Sequence, residues 1–588
     1  WATERTYYIA NEYRGYDFNS VTPTSAEFKA AQLPFGGILY TNDNNQYSYN
    51  IQNKLQFSKA FNPDNRLNAL LGMELRSSTA KGTANKVWGY VPDRGERIVA
   101  PTIPSEVITP NNPPTGWGIL GDIYSRGWQR TDNTNNFLSF FATFAYSFKN
   151  RYVVNANVRN DASNVFGQDI NHRIDPTYSF GLSWRASEEA FFQKHLKWIT
   201  TLNFRGTFGI QGNALTRESP ELILSQQGVQ PGYNRYFSTI GQIPNPYLSW
   251  ERTRNWNFGV DLELFRMFYM NLEYYTRRSN AVITVDLPFE YGIDDMKRNG
   301  GIIYNRGIEY TLSFTPIQKR DFSLNINLNA SKNWNKGGET KIDRNTAMYL
   351  RGGSTQILKE GYPLSAFWSY SFAGLDGSNG KPMFNYVEVP DEEKSKSIDP
   401  TTYLVYSGET EPYFTGGLGF SFRYKSLSLN TSFSLLLGSK KRLPSPYSDF
   451  QGSGSMMPDP TKNVNRDLLN RWQKPGDEAY TNIPGLPTWP IEIGWTLPNT
   501  DSAESSIKMW EQSDAMVVSG SFLRCRNIGL SWQMKKEWCD KIHAKNLAIN
   551  FNMDNIFVIA SKRFNGFDPE LENSIMPRSF SLGLNIGF

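Results

Sequence analysis

The last ten residues, SFSLGLNIGF, alternate without a break: Phe580, Leu582, Leu584, Ile586 and Phe588 are apolar, and Ser579, Ser581, Gly583, Asn585 and Gly587 are small or polar. Strand side chains point alternately to opposite faces, so this segment is expected to be a strand with one face that avoids water. The period recurs upstream. In NWNFGVDLELF, Trp256, Phe258, Val260, Leu262 and Leu264 share a face, and Asn257, Gly259, Asp261 and Glu263 share the other. In DFSLNINLNA, Phe322, Leu324, Ile326 and Leu328 lie opposite Ser323, Asn325, Asn327 and Asn329. LSLNTSFSLLL from Leu427 and LAINFNMDN from Leu547 follow the same rule.

Alternation alone suits a soluble β-sandwich as well as a membrane barrel. The connections separate the two. Links near Asn62, Asn150, Phe265, Gln318 and Lys425 are short, as is KKEWCDKIHA. Links around Gly95, Gly228, Asp294 and Arg344 are long, as are the segment from about Lys440 to Met516 and VIASKRFNGFDPELENSIMP. Long and short links alternate, which predicts an antiparallel barrel of about seventeen or eighteen strands with long loops at one rim and tight turns at the other. RTYYIA near the start is the weakest of these strands. No linker rich in Pro, Ser or Gly divides the chain, so a single architecture is expected over residues 1–588.

Composition narrows function. Aromatic residues make up 14% of the chain, with 47 Gly and 32 Pro, which favours strands and loops over helical bundles. The net charge of +5 is small for 588 residues and forms no basic stripe, so nucleic acid is not an expected partner. No apolar stretch approaches the length of a membrane-spanning helix, so residence in a bilayer requires a barrel, and Trp1 opens no signal peptide. The three histidines, His172, His195 and His543, are isolated, so neither a His-rich metal site nor a His-based triad is expected, and no cofactor is implied. Cys525 and Cys539 read better as two free thiols than as a disulfide.

Several motifs carry a family resemblance. FNGFDPE (Phe564 to Glu570) before a final strand ending in Phe resembles the C-terminus of the SusC/RagA-type TonB-dependent transporters. GSFLRCRNIGLSW (Gly520 to Trp532), NRWQKPGDEAYTNIP (Asn470 to Pro484) and NPYLSWERTRNWNFGVDLELF resemble further stretches of that family. So do NRGIEYTLSF, YSFGLSWRASEEAFF and NFRGTFGIQGN, all in the family's order from about residue 45 onward.

The resemblance implies a 22-stranded barrel integral to the Gram-negative outer membrane and surrounded by lipid. It implies import of glycans or oligopeptides, with a SusD-like surface lipoprotein as lid and the TonB complex as energy source. The family also carries a TonB box and plug ahead of its barrel. Residues 1–588 are therefore expected to be the C-terminal part of a transporter, with plug and first strands on a separate or cleaved polypeptide or outside the sequence given. A dimer of transporter-lid pairs is the implied assembly.

Function is expected in the long loops. Their aromatics, Trp88, Tyr90, Trp117, Trp128, Tyr233, Tyr236, Phe237, Trp489 and Trp495, would stack on sugars or peptide side chains, or pack the loops together. Asn257, Asp261, Glu263, Asn325 and Asn327 are expected to line the lumen. NRDLLNRWQKPGDE reads as a short helix capped by Asn465 or Asp467, whose Leu468, Leu469 and Trp472 would dock the lid or pack internally. LDGSNGK around Asp376 and Asn379 lacks calcium-loop spacing and reads as a hairpin turn on the short-turn side. The adjacent carboxylates Glu188–Glu189 and Asp294–Asp295 do not build a glycosidase pair, and no enzyme is expected. The alternative function is a barrel that anchors surface binding loops without transport.

Overall fold

The computed structural model describes residues 2–9, 37–91, 97–98, 128–164, 174–213, 221–230, 235–245, 247–287, 289–293, 295–338, 349–353, 358–385, 400–447, 463–486, 506–571 and 574–588. One antiparallel sheet dominates it. The sheet opens with β1 (Ala2–Ile9), β2 (Gly37–Asn62) and β3 (Asn65–Val91), and the two-residue β4 (Arg97–Ile98) pairs with the end of β3. It continues through β5 (Trp128–Phe148), β6 (Tyr152–Ser163), β7 (Ile174–Arg185) and β8 (Ile199–Asn213). A separate hairpin, β9 (Ile223–Gln230) and β10 (Arg235–Gln242), precedes β11 (Glu251–Leu264), β12 (Phe268–Asp286), β13 (Asp295–Gln318) and β14 (Phe322–Gly337). A second small sheet holds β15 (Ala366–Leu375), β16 (Pro382–Asn385) and β17 (Leu404–Glu409). The main sheet resumes with β18 (Phe414–Tyr424) and β19 (Leu427–Leu437); β20 (Lys440–Arg442) pairs with β21 (Val517–Ser519) apart from it. β22 (Phe522–Gln533), β23 (Asn546–Ile559) and β24 (Ser579–Gly587) complete its 17 strands.

Each wall strand pairs with the next wall strand along the chain, and short and long links alternate as the sequence pattern predicts. RTYYIA lies within β1. Two of the tight turns place both central residues at positive φ: Lys149 and Asn150, and Phe265 and Arg266. Each is closed by a backbone hydrogen bond, Arg151 N–H to the Phe148 carbonyl and Met267 N–H to the Leu264 carbonyl, both at 3.0 Å. This left-handed pair matches the twist of the flanking strands. Two other links on this side are capped by short helices, α1 (Ala190–His195) and, between β22 and β23, Lys536–Lys541.

The register puts like with like. In β24, Phe580, Leu582 and Leu584 stand beside Met553, Phe551 and Ile549, while Ser581 and Gly583 stand beside Asn552 and Asn550. Leu582 is 76% exposed, as an apolar residue facing lipid would be. Among the described pairings, β24 bonds only to β23 and β1 only to β2.

The buried apolar core lies outside this wall. The β14–β18 link contributes Leu350, Trp368, Tyr370 and Tyr403, and the β19–β22 link contributes Tyr447, Leu468, Met509, Trp510 and Met516. The two links also share hydrogen bonds, including Arg442 Nη1 to the Arg351 carbonyl at 2.9 Å and Phe372 N–H to Asp514 Oδ1 at 2.9 Å. The β23–β24 link joins them, since Arg563 Nη1 donates to the Val517 carbonyl and Asn565 Nδ2 to Asp467 Oδ1. Three successive long links thus form one loop body.

The LDGSNGK turn is a hairpin, joining β15 to β16, with Asp376 Oδ1 accepting from Ser378 N–H at 2.8 Å. It lies inside the β14–β18 link and so on the long-loop side, contrary to the sequence reading. A local turn signature does not reveal that a whole small sheet is inserted between two wall strands.

Candidate functional site: the polar wall face and the loop body

Asn257, Asp261 and Glu263 lie on the polar face of β11, as their alternation predicts. Asp261 Oδ1 accepts from Asn271 Nδ2 at 2.7 Å and from Arg205 Nη2 at 3.3 Å. The same Arg205 nitrogen donates to Glu273 Oε1 at 2.9 Å, and Asn257 Nδ2 donates to the other Glu273 oxygen. Glu263 accepts from the Thr201 hydroxyl at 2.9 Å. Arg205 reaches across because residue 259 is glycine: a Cβ there would lie 3.1 Å from its Nη2. Asn325 donates to Thr315 Oγ1 at 2.8 Å, and Asn327 donates to Asn325. The charges of this face are therefore cross-linked between strands.

A second network sits on β3, β5 and β6. Arg159 Nε donates to Asp161 at 2.8 Å, and its Nη2 donates to Glu74 at 3.1 Å and Ser139 at 2.8 Å. The Arg159 guanidinium also lies over the Phe141 ring. That ring rests against Gly72, where a Cβ would come within 2.2 Å of it.

The loop aromatics fare unevenly. Trp88 and Tyr90 fall within β3, Trp128 begins β5, and Tyr236 and Phe237 lie in β10, so five residues expected in loops are in strands. Tyr90 is only 7% exposed, which leaves its ring no open face for a ligand. Trp117, Tyr233, Trp489 and Trp495 lie outside the described residues.

The expected helix is a 3-10 turn over Arg466–Asn470, capped by Asn465, whose side chain accepts from Asp467 N–H. Leu468 belongs to the loop-body core and so is not available for lid docking, while the half-buried Trp472 packs over Gly380 with Nε1 donating to Glu478 at 3.0 Å. Leu469 remains at the surface, 70% exposed. The PGD stretch is a self-contained turn: Gly476 takes φ 101°, Asp477 accepts from Gln473 and Lys474 N–H, and Glu478 accepts from Gly476 N–H. Tyr480, 92% exposed beside it, escapes sequence reading because no periodicity marks it.

Burial shapes the loop body's titrations. It pushes the Tyr447 phenol well above its usual range, while its hydroxyl donates to the Pro484 carbonyl. It raises the Glu511 and Glu409 carboxyls and lowers Arg442 to about 10, with nearby Arg351 adding to the last effect. Cys525 and Cys539 are buried free thiols.

Comparison with known proteins places this architecture. The family described as "TonB dependent receptor-like, beta-barrel" matches residues 1–438. TonB-dependent receptor SusC of Bacteroides thetaiotaomicron is 26% identical over 482 residues, covering 77% of this chain and 44% of that protein. TonB-dependent receptor P3 of Formosa agariphila is 23% identical over 502 residues, covering 78% of this chain and 46% of that protein. Among solved structures, the RagAB peptide transporter superposes with a TM-score of 0.70 at 20% identity, over 94% of this chain and 56% of that one. The chain thus spans about half the length of the relatives it matches. Its apolar wall face meets the lipid of the outer membrane, in which these barrels are integral. From its strand order, its two-faced wall and the matched family, the chain belongs to the TonB-dependent receptor β-barrels.

Proposed function

We propose that this chain forms the wall and surface loop body of an outer-membrane importer for nutrients too large for porins, either oligosaccharides or oligopeptides. The carrying observation is the polar lining of one wall face, in which Arg205 bridges the Asp261 and Glu273 carboxylates, Asn257 donates to Glu273 and the arginine stays wetted. Such a face favours passage of a hydrated solute and supplies no covalent chemistry. Family membership supports coupling to the TonB complex through a plug, which we assign, with the first wall strands, to polypeptide outside residues 1–588.

A SusD-like lipoprotein is the proposed lid, resting on the loop body with Leu469, Tyr480 and the outer side of Trp472 as contact residues in place of the buried Leu468. The likeness to the RagAB peptide transporter supports an importer of this kind. A dimer of transporter-lid pairs is part of the same proposal. The test is deletion of the gene in its own bacterium, with growth on polymeric nutrients and native mass spectrometry of the extracted complex. A nutrient-specific growth defect and a co-purifying lipoprotein are expected. Unchanged growth on every nutrient, with the chain isolated alone, would leave surface anchoring as its role.

A further inference from the structure

We propose that the lipid-facing wall across β6, β7, β8, β11 and β12 holds a site for one anionic glycerophospholipid, with an acyl chain in a groove and the phosphodiester at the adjoining short-turn rim. Strand register builds the groove. On the outward face, Gly206 of β8 stands between Leu182 of β7 and Phe258 of β11, and one step nearer the turns Phe204 stands between Trp184 and Val260. A cavity of about 690 Å³ opens over the glycine among these large side chains. A Cβ at Gly206 would meet the Phe258 ring at 3.7 Å, an ordinary contact, so the space is that of a missing side chain.

The apolar wall face meets lipid, which makes an acyl chain the filler. Each of the five strands is paired on both edges, so the wall strands that lie outside residues 1–588 join elsewhere and do not adjoin the groove.

The rim beside the groove is organised for a phosphate. The Tyr152 hydroxyl, Trp184 Nε1 and Arg151 Nη1 all donate to the Glu189 carboxylate, the last at 3.0 Å. Tyr152 and Trp184 also line the cavity, so this carboxylate fixes Arg151 at its turn-side end. Arg151 remains partly exposed, and among the described residues only its Nη1 is engaged, which leaves Nε and Nη2 for an anion. Lys149 lies on the same side: its Nζ is 5.3 Å above the Phe148 ring, which stacks on Tyr152. Exposed Arg185, Lys194 and Lys197 outnumber Glu188 along this rim. The excess of positive charge matches a monoanionic phosphodiester, and basic side chains at a membrane surface favour such lipids by about 1 kcal/mol each.

The β18–β19 turn supplies a matched comparison. Lys425 there also takes φ 52° and sits over its neighbouring ring, Tyr424. The groove includes no residue of β18 or β19.

The test uses the intact complex extracted from the outer membrane and washed in mild detergent, with bound lipid read by native mass spectrometry after addition of phosphatidylglycerol or phosphatidylethanolamine. Phosphatidylglycerol should be retained in preference to phosphatidylethanolamine. Lys149→Asn, which removes the charge and keeps a residue suited to positive φ, should weaken that retention about fivefold. Gly206→Leu, which fills the groove, should weaken it about threefold or more. Lys425→Asn should leave it unchanged. Heat-modifiable gel mobility confirms that each variant barrel is folded, and Gly206→Ala serves as the milder substitution if Gly206→Leu is not.

Equal retention of the two lipids, indifference to the folded Lys149 and Gly206 variants, or an equal loss from Lys425→Asn overturns the site. So does a wild-type dimer that Gly206→Leu splits without loss of lipid, which would make the groove a contact between copies of this chain.

Discussion

Arg524 and Asp568 form an ion pair inside the protein, with Nη2 of the arginine 2.7 and 2.8 Å from the two carboxylate oxygens and the side chains 2% and 4% exposed. The pair ties β22 to the β23–β24 link, and Glu570 adds a second carboxylate at 2.8 Å. It explains why the FDPE stretch accompanies the final strands: its Asp and Glu hold the last long link onto the wall.

Removing Arg524 strands the buried Asp568 carboxylate. Arg524→Met alone is expected to destabilise the barrel by about 3–5 kcal/mol, whereas the double change Arg524→Met with Asp568→Leu costs much less. The temperature at which heat-modifiable gel mobility is lost checks both.

The two faces of β24 predict opposite tolerances. Leu582→Arg on the apolar face should cost about 2–4 kcal/mol if it sits at mid-membrane, and Ser581→Arg on the polar face far less. Equal losses in refolding into lipid vesicles would mean that the faces are assigned wrongly.

Trp472 and Leu469 separate packing from docking. Trp472→Ala should open the loop body, costing about 3–5 kcal/mol and speeding its proteolysis. Leu469→Ala should leave proteolysis unchanged and weaken lipoprotein retention in pull-down from membranes. Retention that survives Leu469→Ala and Tyr480→Ala together removes this surface from the lid contact.

Glu511 gives a pH dependence. Its folded carboxyl is raised by burial, so between its unfolded and folded values folding takes up a proton, and stability rises as pH falls through that window. Glu511→Gln should therefore make the loop body more protease-resistant at pH 7, and the advantage should vanish in acid below the usual glutamate range.

Tyr447 acts at the other extreme. Its folded phenol titrates above the unfolded one, so its contribution is complete at neutral pH and is lost as pH rises beyond the usual tyrosine range. Tyr447→Phe leaves the Pro484 carbonyl without this donor, should cost about 1–3 kcal/mol and should abolish the alkaline loss attributable to this residue. Proteolysis rates from neutral to strongly alkaline pH, compared with wild type, decide it.

The wall was legible in the sequence because a strand's side-chain period of two is a local property. Trp256 and Phe258 face one way and Asn257 and Asp261 the other whatever lies beyond them, and link lengths gave the order of the rims. The loop body was not legible. Leu468 and Trp472 read equally as a docking face or as internal packing, and only contacts with residues far along the chain, such as Tyr447 with Trp510 and Trp472 with Gly380, decided that Leu468 is interior and Trp472 half-buried. Periodicity fixes which way a residue points; what it meets there depends on chain brought in from elsewhere, and that partner has no signature in the local pattern.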